Sequence, residues 1–105
     1  LEKCILGSDG SIYLAGSTAG NWAGSNAGEY DFAAAKLDAD GNELWRWQEG
    51  TPAEEKIFAA TIAADGSLFL AGYTFGSWSS QAAGNADFAI VKLDPSNGNV
   101  LWRWQ

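Results

Sequence analysis

One stretch of this chain occurs twice, and that repetition restricts the fold more than any other feature. Lys36-Leu-Asp-Ala-Asp-Gly-Asn-Glu-Leu-Trp-Arg-Trp-Gln48 returns as Lys92-Leu-Asp-Pro-Ser-Asn-Gly-Asn-Val-Leu-Trp-Arg-Trp-Gln105. Each copy reads as a strand end, a tight turn and a second strand, which makes a hairpin. Outward from it, Asp9-Gly-Ser matches Asp65-Gly-Ser, Leu14-Ala-Gly matches Leu70-Ala-Gly, and Asp31-Phe-Ala matches Asp87-Phe-Ala. Thr18, Gly20 and Trp22 match Thr74, Gly76 and Trp78. Asp38 pairs with Asp94 at an offset of 56, and Gly41 with Gly98 at 57, so one residue is inserted inside the turn. About two dozen of some forty aligned positions are identical, far above chance, and the chain is a tandem repeat.

Composition narrows the class. A chain of 105 residues holds one small domain or two repeat units. No apolar run approaches the roughly 18 residues of a membrane-spanning helix. Six Lys and Arg against thirteen Asp and Glu give a formal charge of −7, which opposes binding to nucleic acid and to anionic membranes. Six Trp, thirteen Gly and no Met point to a turn-rich β protein. The single cysteine, Cys4, precludes an intrachain disulfide and a cysteine zinc cluster, and its apolar setting predicts a buried, inert thiol.

Along the chain, 1–8 reads as a truncated or edge strand. Asp9-Gly10 turns into a strand over 11–16, and 17–30 is a long Gly, Ser, Asn and Ala loop carrying Trp22. A third strand covers 31–37, a turn 38–41, and a fourth strand 43–48. The prediction is therefore an all-β chain of two four-stranded antiparallel units, 1–48 and 57–105, joined by a connection over 49–56. Thr51, Pro52 and Glu54 carry helix-start signals, so a single helical turn is expected near 52–56, followed by a strand over 57–64.

Two patterns favour propeller blades over a sandwich. Leu68-Phe-Leu-Ala and Phe88-Ala-Ile-Val are apolar on both faces, which requires cover on both sides. Side chains also grade from alanine at Ala59, Ala60, Ala63 and Ala64 to Trp-Arg-Trp in the last strand. That suits a sheet pressed close to its neighbours near a hub and splayed at the rim. Trp102 and Trp104 standing in solvent would count against this reading.

The segments Asp9-Gly-Ser-Ile-Tyr-Leu-Ala-Gly-Ser-Thr and Asp65-Gly-Ser-Leu-Phe-Leu-Ala-Gly-Tyr-Thr, followed by Asp-Phe-Ala and Lys-Leu-Asp, resemble the seven-bladed β-propeller repeat family. The hairpins resemble the tryptophan-docking motif of quinoprotein-type propellers, in which an outer-strand Trp packs on the next blade's backbone at a turn glycine. The resemblance implies that role for Trp45 and Trp102 with Gly41 and Gly98, and inter-blade packing for Trp47 and Trp104. Lys36 and Lys92 stand where that motif usually has Ala. It further implies an extracellular or cell-envelope setting.

Two blades cannot close a ring, and each would leave apolar faces uncovered. The expected partners are further blades, supplied by a longer chain or by three or four copies of this one. Without histidine, Ser-His and Cys-His nucleophilic sites are impossible within the chain. No enzyme activity and no cofactor are expected. Asp31 and Asp87 are the most plausible carboxylate pair, but an Asp opening the same strand in each repeat is read as bonding a neighbouring turn. Asp38 and Asp40 resemble the start of a calcium loop. The second copy has Ser96 in place of Asp40, and Asp/Asn-Gly turn chemistry explains both without metal. Trp22 and Trp78, beside Asn21, Asn26, Ser77 and Gln81, form a candidate ligand or partner loop. The leading expectation is a non-catalytic scaffold or protein-interaction module. The alternatives are a lectin-like glycan-binding propeller and a fragment of a quinoprotein-like enzyme.

Overall fold

A computed structural model describes residues 1–78 and 85–105, and Gln81 lies outside the described residues. Eight strands follow in order: β1 Lys3–Leu6, β2 Ile12–Thr18, β3 Asp31–Leu37, β4 Glu43–Glu49, β5 Glu55–Ile62, β6 Leu68–Thr74, β7 Asp87–Leu93 and β8 Val100–Trp104. They form two four-stranded sheets, β1-β2-β3-β4 and β5-β6-β7-β8, each a meander of antiparallel neighbours. These are two propeller blades. Their registers repeat as the sequence does: Ala15 faces Ala34 across β2 and β3, and Ala71 faces Ile90 across β6 and β7. A bulge follows Lys36 in one blade and Lys92 in the other.

The turns show what the one-residue insertion does. Gly41 N–H donates to the Asp38 carbonyl at 3.1 Å, three residues back, whereas Gly98 N–H donates to the Asp94 carbonyl at 2.8 Å, four back. Both glycines have positive φ, 88° and 77°, a conformation that disfavours any side chain. The strands on either side keep their register.

The connection differs from expectation. No helical turn forms at 52–56; β4 runs on through Glu49, and β5 begins at Glu55, so only 50–54 lie between the blades. Thr51 does behave like a cap, accepting the Ala53 N–H at 3.1 Å. However, the carboxylate reaching back to the Thr51 N–H, at 2.7 Å, is that of Glu55 rather than Glu54. Glu54 instead accepts the Tyr73 hydroxyl at 2.7 Å. One residue out of step, the pair closes a loop and leaves the backbone free to extend.

The core lies between the blades. Tyr13, Ala15, Phe32, Ala34 and Trp45 of the first sheet meet Ile57, Leu68, Leu70, Ala89, Val91 and Leu93 of the second. Backbones approach closely where β5 lies against β1, β2 and β3. Toward the outer strands the gap is bridged by long side chains, including Arg103 to Glu49 at 2.6 Å and Trp45 to the turn of the next blade. This is the wedge that the size gradient implies. Cys4 is a correction, because it is exposed rather than buried. It pairs with Leu14 on the face of the first sheet opposite the core, where no second sheet covers it.

Candidate functional site

Within each blade, period-two alternation gives every strand two faces, and the tandem repeat puts the same residues on the same faces. Only one of the two junctions such a pair could make is present. The rear face of the first blade, carrying Tyr13, Phe32, Trp45 and Trp47, is packed on the second blade. The equivalent rear face of the second blade carries Phe69, Phe88, Trp102 and Trp104. Relative exposure is 0% at Phe32 but 83% at Phe88, and 8% at Trp45 but 43% at Trp102. Trp104 is 58% exposed, whereas Trp47 is half-buried against the core. Trp102 and Trp104, expected between blades like Trp45 and Trp47, instead stand in solvent, the outcome that counts against blades; the blade reading rests on the two four-stranded meanders and on Trp45, which does pack in the junction. Among the described residues no sheet lies behind β8.

The junction that is present has two anchors. The Trp45 ring lies on Gly98, where an added Cβ would come within 2.6 Å of it, and its indole N–H donates to the Pro95 carbonyl at 3.0 Å. Lys36 Nζ donates to the same carbonyl, also at 3.0 Å. Gly41, the counterpart of Gly98, has open space above it. The second anchor is Trp78, which meets Phe32 edge to face with centroids 5.0 Å apart and planes at 84°. Phe32, Leu70 and Ala89 belong to one packed cluster that Trp78 borders. The Trp78 Nε1 is buried with no partner among the described residues, so the ring is held for its apolar surface.

Trp22, the counterpart of Trp78, has no phenyl ring to meet. It lines an open cavity of about 230 Å³ with Leu1, Leu14, Gly16, Thr18 and Ala33. Leu14, Gly16 and Ala33 are the repeat equivalents of Leu70, Gly72 and Ala89. The Arg46 guanidinium sits 4.6 Å from the Trp22 ring centroid and donates to the Trp22 carbonyl.

Of the predicted loop residues, Asn21 and Asn26 are engaged internally. Asn21 Oδ1 accepts the Asn26 N–H at 2.7 Å, Asn26 Oδ1 accepts the Gly28 N–H, and Asn26 Nδ2 donates to the Ala19 carbonyl. Ser77 is exposed beside Trp78. The residues that sequence reading missed are Gln48 and Gln105. Gln48 Oε1 accepts the N–H groups of Trp22 and Ala23, while Nε2 donates to the Gly20 carbonyl and to Asp31 Oδ2 at 2.8 Å. Gln105 repeats this with Trp78, Gly76 and Asp87. Their signal was available: both close the repeated Trp-Arg-Trp-Gln. Each Asp-Gln pair pins a Trp loop to the outer strand, and Asp31 also accepts the Ala27 N–H.

Asp38 is fully engaged by its own turn, accepting the N–H groups of Asp40 and Asn42 and the Asn42 side-chain amide. That bonding, the side-chain amide first, holds its carboxyl below the ordinary range. Among the described residues, no group of three or more His, Cys, Asp or Glu is placed to hold a metal ion.

Residues 7–42, from the turn before β2 to the turn after β3, match the sequence model of a β-propeller family described as a domain of unknown function, DUF5122. No curated protein matches the chain. The match and the two sheets agree on blades, and the match carries no activity.

Proposed function

We propose that this chain is a non-catalytic β-propeller repeat module whose role is to present blade faces for docking, as a scaffold or protein-interaction surface. The observation that carries the reading is the contrast between Phe32 and Phe88. One aromatic position is fully covered in the first blade and almost fully bare in the second. Exposed apolar area of this kind, made by Phe58, Phe88, Trp102 and Trp104 with the half-buried Phe69, is a feature of interaction surfaces. A glycan site at the Trp22 loop has less support, since the Asn21 amide oxygen and the Asn26 amide that would bind hydroxyls are engaged within the loop.

The test separates docking from folding. At protein concentrations that keep the chain monomeric, Phe88→Ser with Trp104→Ser should leave the β-sheet circular dichroism and the thermal midpoint nearly unchanged, while binding of a hydrophobic dye such as ANS falls sharply. Collapse of the fold in that double variant would make these rings part of the chain's own core and end the reading.

A further inference from the structure

Two surfaces of this chain are halves of a junction it already contains. The exposed rear face of the second blade repeats, position for position, the face that the first blade buries, with Phe69 for Tyr13 and Ile90 for Ala34. The front face of the first blade, where Ala33 and Ala35 are buried, Leu14 is half-buried and Trp22 is exposed, repeats the face that the second blade buries. We infer that a second copy of this chain docks head to tail, its Trp22 cavity receiving Phe88 of the first copy and its 38–42 turn receiving Trp102. The inference rests on the docking role proposed above and names the partner.

The Phe88 half is argued from the Phe32–Trp78 pair. In the existing junction the Phe32 ring meets Trp78 edge to face within the cluster that holds Leu70 and Ala89. The front of the first blade holds the repeat equivalents, Trp22 with Leu14 and Ala33, around a hollow still open and about 230 Å³ in volume. A phenyl ring fits that space, and Phe88 is the ring at the matching position.

The Trp102 half is argued from Trp45. Trp45 rests on a turn glycine without a side chain above it, Gly98, and bonds the carbonyl of Pro95, the residue after the turn's first aspartate. Gly41 keeps positive φ with nothing above it, and Ala39, which follows Asp38, occupies the place of Pro95, two residues before its glycine instead of three. Trp102 would cover Gly41 and donate to the Ala39 carbonyl. Charge agrees as well. Lys92, the counterpart of Lys36, would arrive at a turn carrying Asp38 and Asp40. It is already poised over Phe69 at 5.5 Å, as Lys36 is over Tyr13 at 5.2 Å.

Such a contact is heterologous, using a different patch on each partner, and successive copies close into a ring when the rotation permits. Blade counts of roughly four to eight close known propellers, so two to four copies suffice.

The experiment uses complementary charge blocks. Phe88→Glu removes the plug and Trp22→Glu the hollow; Leu14→Glu serves as a second hollow variant should Trp22→Glu fail to fold. Sedimentation equilibrium should give the wild type a mass that is a multiple of 11.1 kDa. Each folded variant alone should be monomeric, with self-affinity down on the order of 100-fold, as for loss of an interface anchor. An equimolar mixture of plug and hollow variants should recover a dimer that grows no further, because one sound junction remains. A wild-type chain that stays monomeric at 100 μM would overturn the second-copy inference while leaving the docking role to the dye and folding test. A mixture no larger than its components would overturn the head-to-tail pairing.

Discussion

At the scale of single residues, the most decisive contrast is between two turn glycines that differ in what lies above them. Gly41 and Gly98 share positive φ, so alanine at either should cost about 1–2 kcal/mol in backbone strain. At Gly98 the new Cβ also meets the Trp45 ring, and the total should reach about 3 kcal/mol or more. Denaturant midpoints of Gly98→Ala and Gly41→Ala, measured at low protein concentration, check this, and equal losses would mean the ring does not rest on the glycine. The turn aspartates give a pH signature. Hydrogen bonds, to the Asn42 amide and then to backbone N–H groups, hold the folded Asp38 carboxyl below its ordinary value. A lowered folded value stabilises above the ordinary carboxylate pKa, and that contribution disappears as pH falls through the lowered one. Asp38→Asn should therefore differ from the wild type at pH 7, and the difference should begin to shrink below about pH 4 and be gone only once pH has fallen below the lowered carboxyl value. Carboxyl-carbon NMR titration should place Asp38 below an unstructured aspartate. A midpoint at the ordinary value would refute the bonding pattern.

At the scale of elements, the outer strands make the test. Trp45 and Trp102 have the same strand position and the same neighbours in sequence, yet only Trp45 has a blade to bond. Trp45→Phe should lose about 1–2 kcal/mol, with the indole hydrogen bond to Pro95 gone, while Trp102→Phe at concentrations that keep the chain monomeric should lose less than about 0.5. Similar losses from both would show that the indole bond adds nothing. The comparison also explains what the sequence made legible. Strand number, order and turn sites follow from the duplicated hairpin and from apolar residues on both faces, because these depend on local chemistry that repeats. Exposure does not repeat. Phe32 and Phe88 each stand between Asp and Ala at the start of their strand and are opposite in burial, since burial depends on what packs against each face. Cys4 was misread for the same reason: its apolar neighbour Ile5 packs on the core, so Cys4 alternates onto the uncovered face. The helix signals at Thr51 misled because Glu54 and Glu55 are adjacent carboxylates, and spacing alone does not say which will reach back. Gln48 was overlooked because a glutamine at a strand end has no distinctive chemistry until its two loop carbonyl and amide partners are in place.

At the scale of the whole molecule, the bare aromatic face belongs to a compact chain. The radius of gyration is 13.1 Å, close to the roughly 13 Å of a packed chain of this length. The exposed rings thus do not come from loose packing. Two forces compete when copies meet: burial of Phe88 and Trp102 favours association, and a charge of −7 on each copy opposes it. Apolar contact is short-ranged and little affected by moderate salt, whereas repulsion between exposed charges is screened over about 8–10 Å at physiological ionic strength. Association should strengthen as sodium chloride is raised from low to moderate concentration. Because folding and docking are then linked, the thermal midpoint should rise with protein concentration. Once docking is saturated, each tenfold step adds on the order of 1 kcal/mol, or about 5 °C for a domain of this size. Phe88→Glu should melt at one temperature across the same range, at the low-concentration midpoint of the wild type. Differential scanning calorimetry from 10 to 500 μM in two salts decides it. A wild-type midpoint independent of concentration in both salts would mean that these faces do not find each other between copies.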